Sequence, residues 1–317
     1  MVLLLWGDSM GDSNILEVDI DSLVSKLDSF VKTLHFYKDD YSIGNNNEHI
    51  GMCINYADLI EMRQEFLEEL QSTVISYVYD KKKQEKLLNQ FNIGTQRDDG
   101  SAWIKLYQHT RKKFRRNSLQ GQFSELLIFN LLQYHFRAIP LLRKMPITTN
   151  PNLERNGADA IHINIENGIY KIFIAEAKTY NRKKGGLKEG LKDAISDLYE
   201  KHYINHRNEL DLYIYEDFIS ADIEQIAIDY KEGNNMNQFE VHLVCIVTYD
   251  MKKDIDLTSR DTALNSLIQD IKDETMNFTT LKAYNDFPKH LRPRLNLIMF
   301  SVKALQDLID DFTKQLG

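Results

Sequence analysis

A two-residue turn at Asn167-Gly168 is the feature that most constrains the fold of this chain. It separates two segments in which apolar residues alternate, and this pattern is a strong signal for a β-hairpin, because both turn residues must adopt positive φ. So short a turn also fixes the register, since the numbers of paired residues then have a constant sum. The hairpin is therefore predicted to place Asp159 directly opposite Glu176.

One face of this hairpin is predicted to carry apolar pairs that lead to a charged end. The pairs are Ile161 with Ile174, Ile163 with Ile172, and Ile165 with Tyr170. Lys178 shares that face, because side chains alternate along a strand and it lies two residues beyond Glu176. Opposed carboxylates roughly 5 Å apart are destabilising. A divalent cation would compensate them, and oxygen ligands suit Mg²⁺ or Mn²⁺. The alternative is a strand end at which the carboxylates point into water or pair with Lys178.

A third carboxylate, Glu125, lies in a segment that is predicted to be a helix. Apolar residues recur there at spacings of three and four, at Leu119, Phe123, Leu126, Leu127 and Leu131, after N-cap candidates Asn117 and Ser118. A carboxylate enclosed by apolar neighbours is either paired or functional. The alternative is an interior Glu that bonds to the backbone or to a nearby arginine.

A helix with an internal Glu, a strand with Asp, and a hairpin strand with Glu-x-Lys resemble the PD-(D/E)xK nuclease superfamily. The corresponding residues are Glu125, Asp159, Glu176 and Lys178, with Ala158 where the superfamily name has Pro. The stretch from about 120 to 178 and the tail LNLIMFSVKALQDLIDDF are further similar to the HamA and AbpA proteins of bacterial antiphage defence, HamA being the nuclease subunit of the Hachiman system. This resemblance covers roughly residues 100–305.

The resemblance implies a restriction-endonuclease-like core of mixed α/β (α+β) type and a Mg²⁺-dependent deoxyribonuclease, for which Mn²⁺ could substitute. Asp159 and Glu176 would ligate the metal, and Glu125 would complete the ligand set or orient a water. Lys178 would position and polarise the attacking water. The implied partners are DNA and a superfamily 2 helicase subunit of the HamB type, in a heterodimer.

Two basic clusters flank these residues in the sequence, where a phosphate backbone would have to lie. They comprise Arg111, Lys112, Lys113, Arg115 and Arg116 before the helix, and Arg182, Lys183 and Lys184 after the second strand. The chain as a whole has a net charge of −8, which counts against tight independent binding to DNA and fits a subunit that relies on its partner. The alternative for both clusters is a solvated surface.

The pattern along the chain predicts two parts, a largely helical region of unknown role at 1–100 and a nuclease-like α/β domain at 101–317. Helices are expected at Tyr56–Tyr79, Leu187–Tyr203, Asp261–Met276 and Val302–Leu316, and strands at Gln238–Thr248, at Leu295–Ser301 and in a piece that follows Arg137–Met145 and ends near Thr148. Helix, three strands, helix and strand in this order predict a mixed α/β sandwich around a central sheet.

The remaining sequence features give weaker evidence on location and function. No apolar run approaches the roughly 20 residues of a membrane helix, and no targeting segment is recognised, which predicts the cytoplasm and no membrane partner. Cys53 and Cys245 are predicted to be reduced core thiols. His202 and His206 are spaced to share a helix face, but no third metal ligand accompanies them.

Two further functions compete with a partner-dependent nuclease. One is a catalytically silent DNA-binding or scaffold subunit that keeps the nuclease fold, against which the intact acidic residues and Lys178 argue. The other is a stand-alone restriction-type enzyme, for which the sequence offers no module that would recognise a DNA sequence.

Overall fold

The structure is a computed structural model that describes residues 19–38, 41, 43, 49–92, 99–114, 119–143, 145, 157–181, 183, 185–206, 208, 210 and 223–316. Its strands are β1 (Leu34–Tyr37), β2 (Ile50–Ile54), β3 (Tyr56–Ala57), β4 (Ile60–Glu61), β5 (Ile139–Leu142), β6 (Ala160–Glu166), β7 (Ile169–Tyr180), β8 (Phe239–Asp250) and β9 (Leu295–Val302).

The helices alternate with these strands along most of the chain. They are α1 (Ile20–Leu23), α2 (Asp28–Lys32), α3 (Arg63–Ser72), α4 (Val74–Val78), α5 (Lys81–Asn92), α6 (Asp99–Arg111), α7 (Leu119–His135), α8 (Gly186–Asp197), α9 (Glu224–Glu232), α10 (Arg260–Thr275), α11 (Lys282–Asp286) and α12 (Leu305–Leu316). A π-helical segment, Leu198–Tyr203, continues directly from α8.

A seven-stranded mixed sheet forms the centre of the molecule, in the order β1-β2-β9-β8-β7-β6-β5. Strands β2, β9, β8 and β7 run parallel to their neighbours in this series, whereas β1, β6 and β5 pair in the antiparallel sense. Helices cover both faces, so the α+β class and the sandwich around a central sheet are confirmed.

The β6–β7 hairpin has the register that its turn predicts. Both turn residues have positive φ, 52° at Asn167 and 77° at Gly168. Pairing runs from Glu166 opposite Ile169 to Ala160 opposite Ala175, and it includes the three predicted apolar pairs on one face.

The two faces of β7 pack against different helices, because alternate side chains point to opposite sides of the sheet. Ile172 and Ile174 belong to a buried cluster with the apolar residues of α8, α9 and α10. Phe173 and Ala175 belong to a second cluster with those of α3, α4, α7 and α12. This division decides which helix can reach which functional side chain.

Helix α7 is buried on nearly every side, and the apolar stripe predicted for it lies in the core. The reason is that α7 packs on the sheet while α4 and α12 also pack against it. A helix in such a position is expected to be apolar all round.

Several boundaries differ from those predicted. The predicted helix at Tyr56–Tyr79 begins only at Arg63, after the short β3–β4 hairpin, and the first hundred residues supply β1 and β2 to the main sheet. The predicted division at residue 100 therefore does not coincide with an edge of the sheet. Pro140 lies within β5, which is tolerated because β5 is an edge strand. Residues 146–148 lie outside the described part of the chain.

The two cysteines are free and buried, as predicted. Among the described residues, none of the helices combines the length and the apolar composition that crossing a membrane requires.

His162 gives the fold a pH-sensitive position. It is fully buried in β6, its Nδ1 lies 3.0 Å from the carbonyl oxygen of Ala138, and its ring meets the Phe129 ring edge-on. Burial is the main cause that lowers the pKa of His162 to about 3, and the charge of Arg143 lowers it further.

We therefore expect acid to destabilise the wild type through His162. Below the unfolded-state pKa of about 6.5, the unfolded chain binds a proton that the folded chain excludes, so stability falls as pH falls, by up to about 1.4 kcal/mol per pH unit. The free energy of unfolding, measured with urea at pH 7.5 and at pH 5, should fall between these two pH values by about 1–2 kcal/mol more in the wild type than in His162→Asn. The Asn side chain keeps a donor for the carbonyl of Ala138. Equal losses would contradict this account.

Candidate active site

Strand β7 continues past the end of its antiparallel partner. The β6–β7 ladder ends at Ala160 and Ala175, whereas β7 pairs with β8 as far as Tyr180. Glu176 and Lys178 therefore lie on the C-terminal stretch of β7, which extends beyond the end of β6. Such a stretch leaves backbone groups on one side to be satisfied by other partners.

Asp159 satisfies one of those backbone groups. Its carboxylate Oδ2 accepts a hydrogen bond of 2.8 Å from the amide of Ala177, and its own amide donates to the carbonyl of Ala175 at 3.0 Å. Asp159 thus contacts the peptide group that joins Glu176 to Ala177. It lies in a bend just before β6, one residue beyond the last ladder pair, so it approaches Glu176 without the regular cross-strand pairing that the register predicts.

Glu176 is the buried centre of a cluster of charged side chains. It is 5% exposed, and its Oε1 accepts a hydrogen bond of 2.6 Å from the ammonium of Lys178. Its Oε2 lies 3.0 Å from Nε2 of His202. Lys178 also donates to Oδ2 of Asp197 at 2.8 Å. Glu176, Lys178, Asp197 and His202 are hereafter the Glu176 cluster.

The opposite charges of this cluster stabilise one another. Burial disfavours the ammonium of Lys178, but the carboxylates of Glu176 and Asp197 outweigh this effect and raise the pKa of Lys178. Burial also opposes the charge of Asp197, yet hydrogen bonds from Lys178 and Lys201 lower the pKa of that carboxyl. Lys178 is therefore a fixed cation at neutral pH, held between a strand and a helix.

Glu125 lies on the other side of the sheet. Its helix α7 packs on the face that carries Ala175 and Ala177, whereas Glu176 and Lys178 project from the opposite face toward α8. Glu125 accepts a hydrogen bond of 3.0 Å from the hydroxyl of Tyr77. The structure therefore brings Asp159, Glu176 and Lys178 together but pairs Glu125 with Tyr77.

A family model described as HamA matches residues 28–316, which is nearly the whole chain. The chain belongs to the HamA family. The match begins within α2 and so includes β1 and β2, beyond the roughly 100–305 that the sequence motifs suggested. No curated protein matches the chain significantly. Membership of the HamA family supports a role associated with antiphage defence, within a system of several subunits.

Two carboxylates near the C-terminal end of β7 in this HamA-family chain could supply oxygen ligands to a metal ion. Within the described ranges, no group of three or more His, Cys, Asp or Glu side chains is arranged to hold a metal by itself. Mg²⁺ commonly uses one or two carboxylates together with substrate phosphate and water, and it prefers oxygen ligands. Asp159 and Glu176 are the carboxylates near the end of β7 that could hold such an ion; that of Asp159 bonds to the Ala177 amide and that of Glu176 to Lys178.

The start of α7 approaches the C-terminal end of β7, because the side-chain amide of Gln120 donates a hydrogen bond to the carbonyl of Thr179. Three members of the predicted basic clusters have the following surroundings. Lys112 and Lys183 are exposed. Arg111 instead donates to the carbonyl of Leu316 and lies over the ring of Tyr107.

Of the other predicted basic residues, the structure describes only Lys113, which is half-buried in the turn just after α6. Arg115, Arg116, Arg182 and Lys184, and the predicted N-cap residues Asn117 and Ser118, lie outside the described residues.

Asp197 and His202 were not predicted as members of this site. The sequence offered one signal, the spacing of His202 and His206, but the structure separates these two residues. His206 bonds to the hydroxyl of Tyr230 and to the carbonyl of Tyr203, whereas His202 faces Glu176. No spacing rule for an α-helix would have joined Asp197 to His202.

Proposed function

We propose that this HamA-family chain is a metal-dependent DNA nuclease of the PD-(D/E)xK type that acts in antiphage defence with a helicase partner. The observation that carries the proposal is the arrangement on β7. The Lys178 ammonium bonds to Glu176 on one face of the strand, and Asp159 contacts the peptide that follows Glu176. Hydrolysis of a phosphodiester needs a positioned cation, an activated water and charge neutralisation at the phosphate, and this set can supply them.

Each residue has a distinct role in this proposal. Asp159 and Glu176 would hold Mg²⁺ or Mn²⁺, which supplies Lewis-acid activation and neutralises charge at the phosphate when it is bound. Lys178 orients the attacking water and stabilises the negative charge that develops on the phosphate oxygens. A carboxylate has about four lone-pair sites, so Glu176 can keep its bond to Lys178 while it ligates the ion.

Glu125 remains a prediction as a further member of the site. It would have to act from the α7 side of the sheet, where Ser124 next to it bonds to the hydroxyl of Thr179. This contact ties the helix to β7 just beyond Lys178. A rearrangement on DNA binding would be needed for Glu125 to ligate the same ion as Glu176.

The test is cleavage of plasmid, linear and single-stranded DNA by the purified protein in the presence of Mg²⁺ or Mn²⁺. The assay should be run alone and with the helicase-type subunit, because the net charge of −8 predicts weak independent binding to DNA. EDTA should abolish cleavage, and added Mg²⁺ should restore it. Intact DNA in all metal-containing reactions would overturn the nuclease proposal.

A catalytically silent DNA-binding or scaffold subunit is the second candidate. The pairing of Glu125 with Tyr77, away from the Glu176 cluster, favours it. In that case the chain would bind DNA or its partner normally but would not cleave DNA under any metal condition.

The exposed lysines give a separate prediction for DNA contact. Lys112→Ala/Lys183→Ala should weaken DNA binding several-fold and lower the slope of log K against log salt by up to about 2, because each phosphate contact releases counterions. Binding isotherms at two or more salt concentrations measure both quantities. The charge-matched control is Lys282→Ala/Lys289→Ala, which removes exposed lysines from the segment before β9.

Arg111→Ala should behave differently from both double variants. It should lower the melting temperature with little change in salt slope, because Arg111 contacts Leu316. If Lys112→Ala/Lys183→Ala leaves the slope of log K against log salt unchanged, these lysines do not contact DNA and instead face solvent or a partner.

A further inference from the structure

The helix that follows β7 contributes two side chains to the Glu176 cluster. Asp197, the last residue of α8, bonds to Lys178, and His202 in the π-helical segment lies against Glu176. Each of the two residues on the strand therefore has one partner on the helix. The side chains of Lys178 and Asp197 remain 23% and 21% exposed, so the cluster is open to solvent on that side.

The π-helical segment is what allows both residues to point at β7. In an α-helix, residues five apart lie about 140° apart around the axis and cannot share a face. A π-helix bonds residue i to residue i+5, and its wider turn brings residues five apart closer to one face than an α-helix does. Asp197 and His202 are five apart; Asp197 directly precedes the π-helical segment Leu198–Tyr203, and His202 lies within it.

Stabilisation of the fold alone does not account well for the charged residues of the Glu176 cluster. Charged groups that leave water lose hydration free energy that their attraction often fails to recover, so apolar residues of similar volume would commonly stabilise the fold as well or better. Glu176 and His202 are both buried. π-helical turns and groups of partly buried charges are, in contrast, both frequent at functional sites.

We propose that His202 and Asp197 are positioning residues of the candidate active site, His202 orienting Glu176 and Asp197 orienting Lys178. The proposal rests on the nuclease function proposed above and extends it to the helix after β7. Partners of a ligating carboxylate fix its direction, and their loss typically costs about 10- to 100-fold in metal affinity or activity. A cation that must meet developing charge likewise works best when it is held in place before the reaction.

The test for Asp197 separates turnover from substrate binding. Asp197→Asn should lower kcat about 10- to 100-fold and change KM for DNA by less than about threefold, because Lys178 loses orientation and not charge. Glu189→Gln is the matched control, since Glu189 lies on the same helix and pairs with the exposed Lys192. Equal kcat values for Asp197→Asn and the wild type would overturn the role of Asp197.

The test for His202 measures metal binding directly. Titration with Mn²⁺, followed by the electron paramagnetic resonance of the free ion, should show affinity about 10- to 100-fold weaker in His202→Ala. His202→Gln keeps an N–H near the position of Nε2 and should recover most of the affinity. His206→Gln is the control, because His206 is buried on the same chain segment but bonds to Tyr230.

The outcomes distinguish this inference from the function on which it rests. A wild type that binds Mn²⁺ and cleaves DNA, with His202→Ala and Asp197→Asn unchanged, would overturn the positioning roles alone. A loss that follows only the melting temperature, with no rescue by His202→Gln, would assign His202 to structure and also overturn its role. A wild type that neither binds Mn²⁺ nor cleaves DNA would overturn both proposals.

Discussion

Glu176→Gln and Lys178→Met should each lower the rate of Mg²⁺-dependent DNA cleavage by about 100-fold or more. Loss of one preorganised charged group at a transition state commonly has an effect of this size, which corresponds to about 2.7 kcal/mol. Both proteins should remain folded. After Glu176→Gln the ammonium of Lys178 keeps its bond to Asp197, and after Lys178→Met the carboxylate of Glu176 keeps its contact with His202.

The measurement is single-turnover cleavage of labelled DNA at saturating Mg²⁺, with melting temperatures recorded for every variant. Lys171→Met is the matched control for Lys178→Met, because Lys171 lies on the same strand and bonds to the exposed Glu166 near the turn. Its cleavage rate should stay near that of the wild type. Cleavage at the wild-type rate by pure Glu176→Gln or Lys178→Met would remove the basis for the site.

Asp159→Asn should abolish most of the cleavage while it preserves the fold. The Asn side chain keeps an oxygen that can accept the amide of Ala177, so the edge of β7 stays satisfied. It loses the negative charge that a metal ion needs. We expect cleavage to fall about 100-fold and Mn²⁺ affinity to fall with it, at a melting temperature close to that of the wild type.

Asp159→Ala separates the structural role of Asp159 from its chemical role. This variant removes the acceptor as well as the charge, so it should also lose about 1 kcal/mol or more of stability. Thermal unfolding and Mn²⁺ titration of the two variants together decide between the roles. If Asp159→Asn cleaves normally and only Asp159→Ala is impaired, Asp159 serves to end the ladder and does not bind the metal.

Local sequence signals were sufficient to predict the β6–β7 hairpin, its register and the residues on each of its faces. The requirement for positive φ at Asn167 and Gly168 fixes the turn, the turn fixes the register, and the alternation fixes which residues share a face. For the same reason Lys178 could be placed beside Glu176. The long periodic segments after β7 were also predicted well, because helix and strand periodicities differ strongly over ten or more residues.

Predictions that depended on tertiary packing were less accurate. The sequence between Tyr56 and Tyr79 has a helical pattern, but its first residues form β3 and β4. β1 and β2 gave no clear signal as members of the sheet, because the pairing of β2 with β9 joins residues nearly 250 positions apart. Such long-range pairing depends on the assembled core and leaves little trace in a local window.

The sequence by itself determined that Glu176 and Lys178 share one face of β7 and that Asp159 lies close to them at the end of the hairpin, since turn geometry and strand alternation are local. Only the tertiary structure decided what surrounds them. It turned Glu125 toward Tyr77, because α7 packs on the face of the sheet opposite to Glu176. It brought Asp197 and His202 to the cluster through a π-helical turn, whose hydrogen bonding depends on packing between helix and sheet and not on the spacing rules of an α-helix.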